Sequence, residues 1–369
     1  MANRIYSQLR EKIDTYSFGF PATSSGVEIE LLQKLFTPDE AEVGVNLGMK
    51  PEPVEVIAAR MNRDPKELAG VLAGMVRKGT VFNSVSRQGE TRYHGAPYMH
   101  GLAENSAGNM DPELAKLFER YQEESDGFLQ YFGALPLQSF VRFVPVGEAL
   151  DSELNVAPYN QIEELLKSKK TIAAIPCYCR DHKKVLGGNC QLSSKDACFV
   201  FDWLADYSVE RGQARYLSLE EALETQRGFE EAGLVNMPSN VESALALCHC
   251  CGDCCTIFRA IKTHPKPAEA VVSDFYAEVG QNECNACEAC IEYCPMDAIS
   301  NDDIADGTVA INLDRCIGCG VCISRCSVEA LKLREKPEDL KKRKPLHAKE
   351  FLADLSQHRQ INASSIPKG

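Results

Sequence analysis

The chain has 369 residues, room for two or three domains. Its net charge of −13 argues against general binding of nucleic acid through phosphate neutralisation; it suits docking to a basic partner face, or plain solubility. It contains no run of about 18 apolar residues, so no membrane-spanning helix is expected.

The N-terminus, MANRIYSQLREKIDTYSFGF, lacks an apolar signal core and a small-residue cleavage site, and secretion is not expected. Seventeen cysteines in such a chain read as metal ligands in a reducing cytosol, not as disulfides.

Val27 to Phe36 has apolar residues at helical spacing. Thr37-Pro38-Asp39-Glu40 reads as an N-cap with proline at the first helical position. Pro53 to Met61 gives a further short helix. Asp64 then caps a helix opened by Pro65, with Leu68, Val71, Leu72, Met75 and Val76 as its apolar stripe and Gly79 as its end. VFNSVS and TRYHG, either side of a polar turn at residues 87–90, read as a β-hairpin. This order of elements is similar to a winged-helix domain. The resemblance implies Lys66, Arg77, Lys78, Arg87 and Arg92 as candidate phosphate contacts. Between Pro51 and His94, however, seven Lys/Arg face five Asp/Glu, too balanced for a strong electrostatic footprint, so a protein-contact or packing module is the expectation and DNA binding is not. Gly101 to Asp111 is rich in Gly, Ser and Asn and reads as a linker, after which Asp111-Pro112 opens a helix to about Ser125.

In the middle of the chain, Phe140 to Val146 and Thr171 to Pro176 are β-favouring runs flanking a helix at residues 159–167, a small α/β layer. The second run leads into Cys177-Tyr178-Cys179-Arg180. Residues 197–210 suit a helix. Ser218 with Glu221 forms a capping box for a helix that runs to about Gly233. A loop through Pro238 and Asn240 then leads to LALCHCCGDCCTIFRA. Nine cysteines result: Cys177, Cys179, Cys190, Cys198, Cys248, Cys250, Cys251, Cys254 and Cys255. Thiolates in such density suit soft metals, and at least one further Fe–S cluster is expected. Zinc on four of the nine and a redox dithiol at Cys251 and Cys254 are the other readings; the spacing does not give the ligand subset. Arg180, His182, Lys183 and Lys184 are placed either to offset cluster charge or to form a solvated loop. His249 reads as a second-sphere or surface residue more readily than as a ligand.

His264-Pro265-Lys266-Pro267 marks a linker. Beyond it, Cys284, Cys287, Cys290 and Cys294 form C-x2-C-x2-C-x3-C followed by Pro295, and Cys316, Cys319, Cys322 and Cys326 repeat the spacing. Three thiolates two residues apart can wrap one face of a small inorganic cube, whereas the fourth lies too far along to close the same loop. In this pattern it ligates the other cluster. That assigns Cys284, Cys287, Cys290 and Cys326 to one [4Fe–4S] cluster, and Cys316, Cys319, Cys322 and Cys294 to a second. Zinc takes four ligands, usually as two separated pairs, which fits a duplicated triple-Cys run poorly. The segment closely resembles the bacterial two-cluster ferredoxin module; Ser327 stands where that module often has its second proline. Ile291, Ile299, Ile317, Val321 and Ile323 are placed to form a dry shell. Lys341-Lys342-Arg343-Lys344 is a basic run, and His347 to His358 has the pattern of one more helix.

The chain thus reads as a multidomain α+β protein. Residues 1–110 form a winged-helix-like domain with linker and residues 111–263 a Cys-rich α/β middle domain. Residues 264–335 form a two-cluster module with the ferredoxin-like βαβ pseudo-repeat, and residues 336–369 a helix and tail. The order looks like that of multi-cluster iron–sulfur proteins from anaerobic bacteria. The expected function is low-potential one-electron transfer in the cytosol, with a redox partner protein or enzyme subunit. A reductase with its active cluster on the middle cysteines and a redox-sensing winged-helix regulator are the alternatives.

Overall fold

The computed structural model describes residues 2–124, 127–129, 131, 142–150, 156–157, 160–280, 282–301, 308–341 and 347. Helices and strands are mixed along the chain. It divides into two units that do not follow the chain order expected above: Met1–Phe132, Ile175–Asp196 and Trp203–Arg215 form one, and Gly133–Ala174, Ala197–Asp202 and Tyr216–Gly369 the other.

In the first unit the caps read from the sequence set the helix starts. Thr37 Oγ1 accepts from the Glu40 amide and the Glu40 carboxylate accepts from the Thr37 amide, opening the helix Pro38–Val45. Asp64 accepts from the Lys66 and Glu67 amides and opens Pro65–Lys78, which ends at Gly79 with φ +80°. Leu68, Leu72 and Met75 on that helix are fully buried, as are Ile57 and Ala58 of Val54–Met61. A two-residue strand β1 (Glu52–Pro53) precedes Val54–Met61, and β2 (Val81–Val85) and β3 (Thr91–Gly95) form the expected hairpin; the sheet order is β1-β3-β2. The sequence reading missed β1 and an N-terminal helix, Ala2–Asp14, which is held in part by Tyr6 Oη donating to the Phe36 carbonyl.

The stretch expected as a linker is instead packed. Leu102, the helical turn residues Ala103 and Asn105, and Ala107 just beyond them are buried. Asn105 Nδ2 donates to the Gly79 carbonyl and Arg211 Nη1 donates to Asn105 Oδ1, so a polar side chain pins a segment whose composition suggested freedom. The helix after it, Pro112–Glu123, starts where expected, with Asp111 accepting from the Leu114 amide.

The second unit is built on a five-stranded sheet of order β6-β4-β5-β8-β7: β4 (Ile172–Ile175), β5 (Cys198–Phe201), β6 (Arg215–Leu217), β7 (Val235–Pro238) and β8 (Ala246–Cys250). Strands β5 and β7 both run antiparallel to β8. One face carries Phe199, Phe201, Leu247 and Ile172, against Ile162 and Leu166 of the helix Ile162–Lys167 and Ala222 of the helix Leu219–Glu231. Ser218 and Glu221 form the expected capping box, and Gly233 follows the helix end with φ +78°.

Three expectations are corrected here. Residues 197–210 are a strand and then a helix (Trp203–Glu210), because Cys-Phe-Val-Phe is an aromatic, β-branched run that pairs with β8. The loop expected through Pro238 and Asn240 begins only after Pro238, which closes strand β7. Of the Phe140–Val146 run, Arg142 and Val144 make only isolated bridges, and residues 140–141 lie outside the described residues.

Arg142 is nevertheless a centre of this unit. It is 1 % exposed and donates to Asn240 Oδ1 (3.0 Å) and Asn160 Oδ1 (2.9 Å), with Asp274 Oδ2 at 3.5 Å. Asp274→Ala would leave a buried guanidinium without its carboxylate, and is expected to cost ~3–5 kcal/mol in anaerobic denaturant unfolding. A loss under ~1 kcal/mol would mean that the two asparagines satisfy the charge by themselves.

Of the basic run, Lys341 is paired with Glu335 and Glu338; residues 342–344, and the expected helix beyond His347, lie outside the described residues. Among the described residues no helix is long and apolar enough to cross a membrane.

Candidate metal centres

The segment after β8 folds as two copies of one pattern. In the first, β9 (Phe275–Val279) leads through Cys284, Cys287 and Cys290 into the short helix Ala289–Glu292, then Cys294 and β10 (Ile299–Ser300). In the second, β11 (Ala310–Ile311) leads through Cys316, Cys319 and Cys322 into Val321–Ser324, then Cys326 and β12 (Leu331–Glu335). The outer strands pair with each other, Phe275 opposite Glu335, and the inner strands do likewise, Ile299 opposite Ile311. Each half therefore closes on the other.

The backbone repeats as closely as the spacing does. Ala286 and Glu288 have φ +55° and +62°; their counterparts Gly318 and Gly320 have φ +64° and +76°. Left-handed residues on either side of Cys287 and Cys319 turn the chain tightly enough for three sulfurs to face one point. After the fourth cysteine, Asp297 and Glu329 are again left-handed, and the next amide bonds back to sulfur: Ala298 N to Cys294 Sγ and Ala330 N to Cys326 Sγ, both 3.2 Å. Ala277 N also approaches Cys316 Sγ, at 3.5 Å. These amides were missed in the sequence, since a backbone donor leaves no residue signature; the one available signal was an alanine four places after each fourth cysteine.

Burial, with the sulfurs of Cys326, Cys284 and Cys287 adding to it, pushes the Cys290 thiol up to about 11. Burial likewise raises the Cys319 thiol, with Cys294 and Cys316 adding to it. Cys294, Cys316, Cys319 and Cys322 line one small apolar cavity together with Ile299, Ile311 and Ile317. Ile299, Ile317 and Val321 are buried as expected of a dry shell, while Ile291 and Ile323 are half-buried. Thiols this buried resist ionisation by themselves, and a bound cation is what would deprotonate them. Amide donors aimed at sulfur, an apolar wall and grouped thiols all fit an iron–sulfur group.

Residues 283–330 match the family described as 4Fe-4S dicluster domain. This is an iron–sulfur protein. No curated protein and no solved structure matched the chain.

The nine middle cysteines of this iron–sulfur protein divide between the two units. Cys177, Cys179 and Cys190 belong to the first: Cys177 is the N-cap of the helix Tyr178–Val185, Cys179 lies within it and Cys190 follows it. The cations after Cys179 lie on that helix and not in a loop, and among them Lys184 is exposed. Arg180 and His182 are buried, with Arg180 Nη1 donating to the Ser193 carbonyl, His182 Nε2 bonded to the Ala115 carbonyl, and Lys183 paired with Glu119.

The other six lie in the second unit. Cys198 on β5 stands opposite Cys248 on β8. Cys250 Sγ and Cys255 Sγ are 3.4 Å apart. The neighbouring thiols of Cys248 and Cys255, with burial, push the Cys250 thiol well above its ordinary value. Cys251, Asp253 and Cys254, in the turn between, offer ligand atoms within 4.8 Å of one another. His249 is not at the surface. It is fully buried, bonded through Nε2 to Gln226 Oε1 (2.7 Å) and through Nδ1 to the Ala197 carbonyl, with its ring edge-on to Phe199.

The Cys-rich turn abuts the dicluster segment within this unit. A Cβ on Gly252 would stand 2.8 Å from Pro295 Cα, next to Cys294. Lys262 Nζ donates to the Gly252 carbonyl (3.3 Å) and pairs with Asp297 (3.2 Å).

Proposed function

We propose that this protein is a low-potential one-electron carrier, working near about −400 mV as ordinary ferredoxin clusters do. The observation that carries the reading is the dicluster match over residues 283–330. In this reading Cys284, Cys287, Cys290 and Cys326 hold one cluster, and Cys316, Cys319, Cys322 and Cys294 hold the other. When bound, such clusters accept and release single electrons. The chain's own part is to supply eight thiolates, to stabilise their charge with the amides of Ala298, Ala330 and Ala277, and to exclude water with Ile299 and Ile317.

The middle cysteines are proposed as further soft-metal ligands, with at least one additional iron–sulfur cluster among them. The contact of Gly252 with Pro295 supports a relay, because it brings the Cys251–Cys254 turn against the residue following a cluster ligand. The cell compartment is proposed to be a reducing cytosol, where thiolates persist, and the partner a redox protein with a basic docking face. Anaerobic purification with iron and acid-labile sulfide analysis tests the proposal: at least about eight irons per chain are expected. A colourless sample holding zinc in place of iron would end it.

The helix order and three-stranded sheet of residues 27–95 support a winged-helix-like domain, proposed here as a packing or protein-contact module. Of its five candidate phosphate contacts, Lys78 is paired with Glu40 and Arg92 with Glu90; Arg63 with Asp39 and Glu67, and Arg60 with Glu52, are further pairs on the domain. Releasing such pairs to meet phosphates gives little net gain. The expected gel-shift result is no salt-sensitive duplex binding in either oxidation state. Sequence-dependent retardation in one state alone would favour the regulator reading instead.

A further inference from the structure

The two cysteine segments of the second unit are joined by more than the contact of Gly252 with Pro295. The helix Thr256–Lys262 starts directly after Cys255 and ends on Lys262, whose ammonium reaches back to the turn before it. It donates to the Gly252 carbonyl, between Cys251 and Cys254 in the chain, at 3.3 Å and pairs with Asp297 at 3.2 Å. Asp297 is left-handed (φ +51°) and stands between Cys294 and Ala298, the residue whose amide bonds to the Cys294 sulfur. A second cation, Arg315, lies 3.9 Å from the same carboxylate. Arg315 donates through Nε to the Met296 carbonyl at 2.9 Å and directly precedes Cys316. One carboxylate and two cations are thus fixed beside Cys294 and Cys316, which belong to the same proposed ligand set.

Stability does not account for the arrangement. Asp297 is 71 % exposed and Lys262 29 %, and pairs this wet contribute only about 0–1 kcal/mol. Their charges matter through the sulfurs they stand beside. Burial raises the Cys294 thiol, and the Asp297 carboxylate is among the groups that add to it. A charge that disfavours negative sulfur also disfavours an added electron on the group that the sulfur holds, and net charge is one of the levers on an iron–sulfur potential. The carboxylate therefore pushes that potential down, and an ammonium paired with it cancels part of the push.

We propose that Lys262 and Asp297 form a potential-setting ion pair for the cluster assigned to Cys294, Cys316, Cys319 and Cys322, and that Lys262 is also the positioning residue that holds the Cys251–Cys254 turn beside it. Asp297 lowers the potential. Lys262 offsets Asp297 and, through the Gly252 carbonyl, keeps Gly252 against Pro295. The inference rests on the carrier reading and its ligand sets; it does not require any particular metal on the middle cysteines.

The test is an EPR-monitored redox titration of the full chain, purified anaerobically, as wild type, Lys262→Gln, Asp297→Asn, the double variant and Lys262→Arg. The signal to follow is the one that Cys319→Ala abolishes. Lys262→Gln is expected to make its reduction at least about threefold less favourable and Asp297→Asn at least about threefold more favourable, roughly 28 mV down and up, since tenfold is about 59 mV for one electron. The double variant should fall between the two, and Lys262→Arg should keep the wild-type value. A pair that merely held the fold would shift both single variants the same way, so the opposite signs separate the two roles. Amide hydrogen exchange over residues 251–255 reads the positioning: it should be faster in Lys262→Gln and restored in Lys262→Arg. Potentials that do not move, shifts of one sign, iron lost from both single variants alike, or unchanged exchange in Lys262→Gln would each overturn the proposal. Failure of the carrier reading looks different. It would appear in wild type itself, as fewer than about eight irons and no reducible signal.

Discussion

Replacing Cys319 by Ala is expected to remove about four of the eight dicluster irons and to halve electron uptake from dithionite. Cys319 is buried, and the sulfurs of Cys294 and Cys316 help raise its thiol. Without it, three thiolates in a water-excluding wall must hold a cube with an exposed corner. The sharper form of the prediction uses the crossing of the two halves. Cys294→Ala lies in the first cysteine run, yet it should give the same loss as Cys319→Ala and leave the same surviving EPR signal. Cys326→Ala, in the second run, should leave the other signal. If Cys294→Ala kept the signal that Cys319→Ala abolishes, each run would be holding its own cluster and the proposed ligand sets would be wrong.

Gly318→Val is expected to be the most damaging single change outside the cysteines. Gly318 has φ +64°, and a Cβ there would meet the Phe275 carbonyl oxygen at 2.1 Å and its carbon at 2.5 Å. The left-handed backbone costs roughly 1–2 kcal/mol for a residue with a side chain, and more for a β-branched one. The clash adds ~1–3 kcal/mol, because its partner is backbone of β9, held by β12, and not a side-chain end that can swing away. The loop carrying Cys316 and Cys319 should open, with loss of the same irons as in Cys319→Ala and a lower unfolding midpoint. Gly26→Ala is the control. Its φ of +72° is nearly the same, but nothing lies within 4 Å of the added methyl, so only the backbone penalty of roughly 1–2 kcal/mol should appear. Equal costs at Gly26→Ala and Gly318→Ala would show that the Phe275 contact carries no weight.

What was legible in the sequence was local chemistry. Thr37 with Glu40, Asp64 with Pro65, and Ser218 with Glu221 each announce a helix start, because a cap is a contact among neighbours in the chain. The paired cysteine runs were legible for the same reason. Partners distant in sequence were not. Cys198-Phe-Val-Phe becomes a strand because β4 and residues 246–248 pair with it on either side. The Gly/Ser/Asn-rich stretch after Gly101 is ordered by Gly79 and Arg211, neither of which lies near it in the sequence. At the candidate centres the cysteines could be named, but the amides that bond to sulfur could not. For the middle cysteines, counting thiols gave a range of outcomes, and the strand register that sets Cys198 opposite Cys248 could not be read from either segment by itself.

Cys287 is exposed, whereas Cys316, Cys319 and Cys322 are buried. Extra negative charge is least costly where water can reach it. On the proposed ligand sets, a cluster held in part by Cys287 would be the easier of the two to reduce. A half-charged molecule would then wear its electron on the outside, ready for collection, and keep its inner seat vacant until a second one comes.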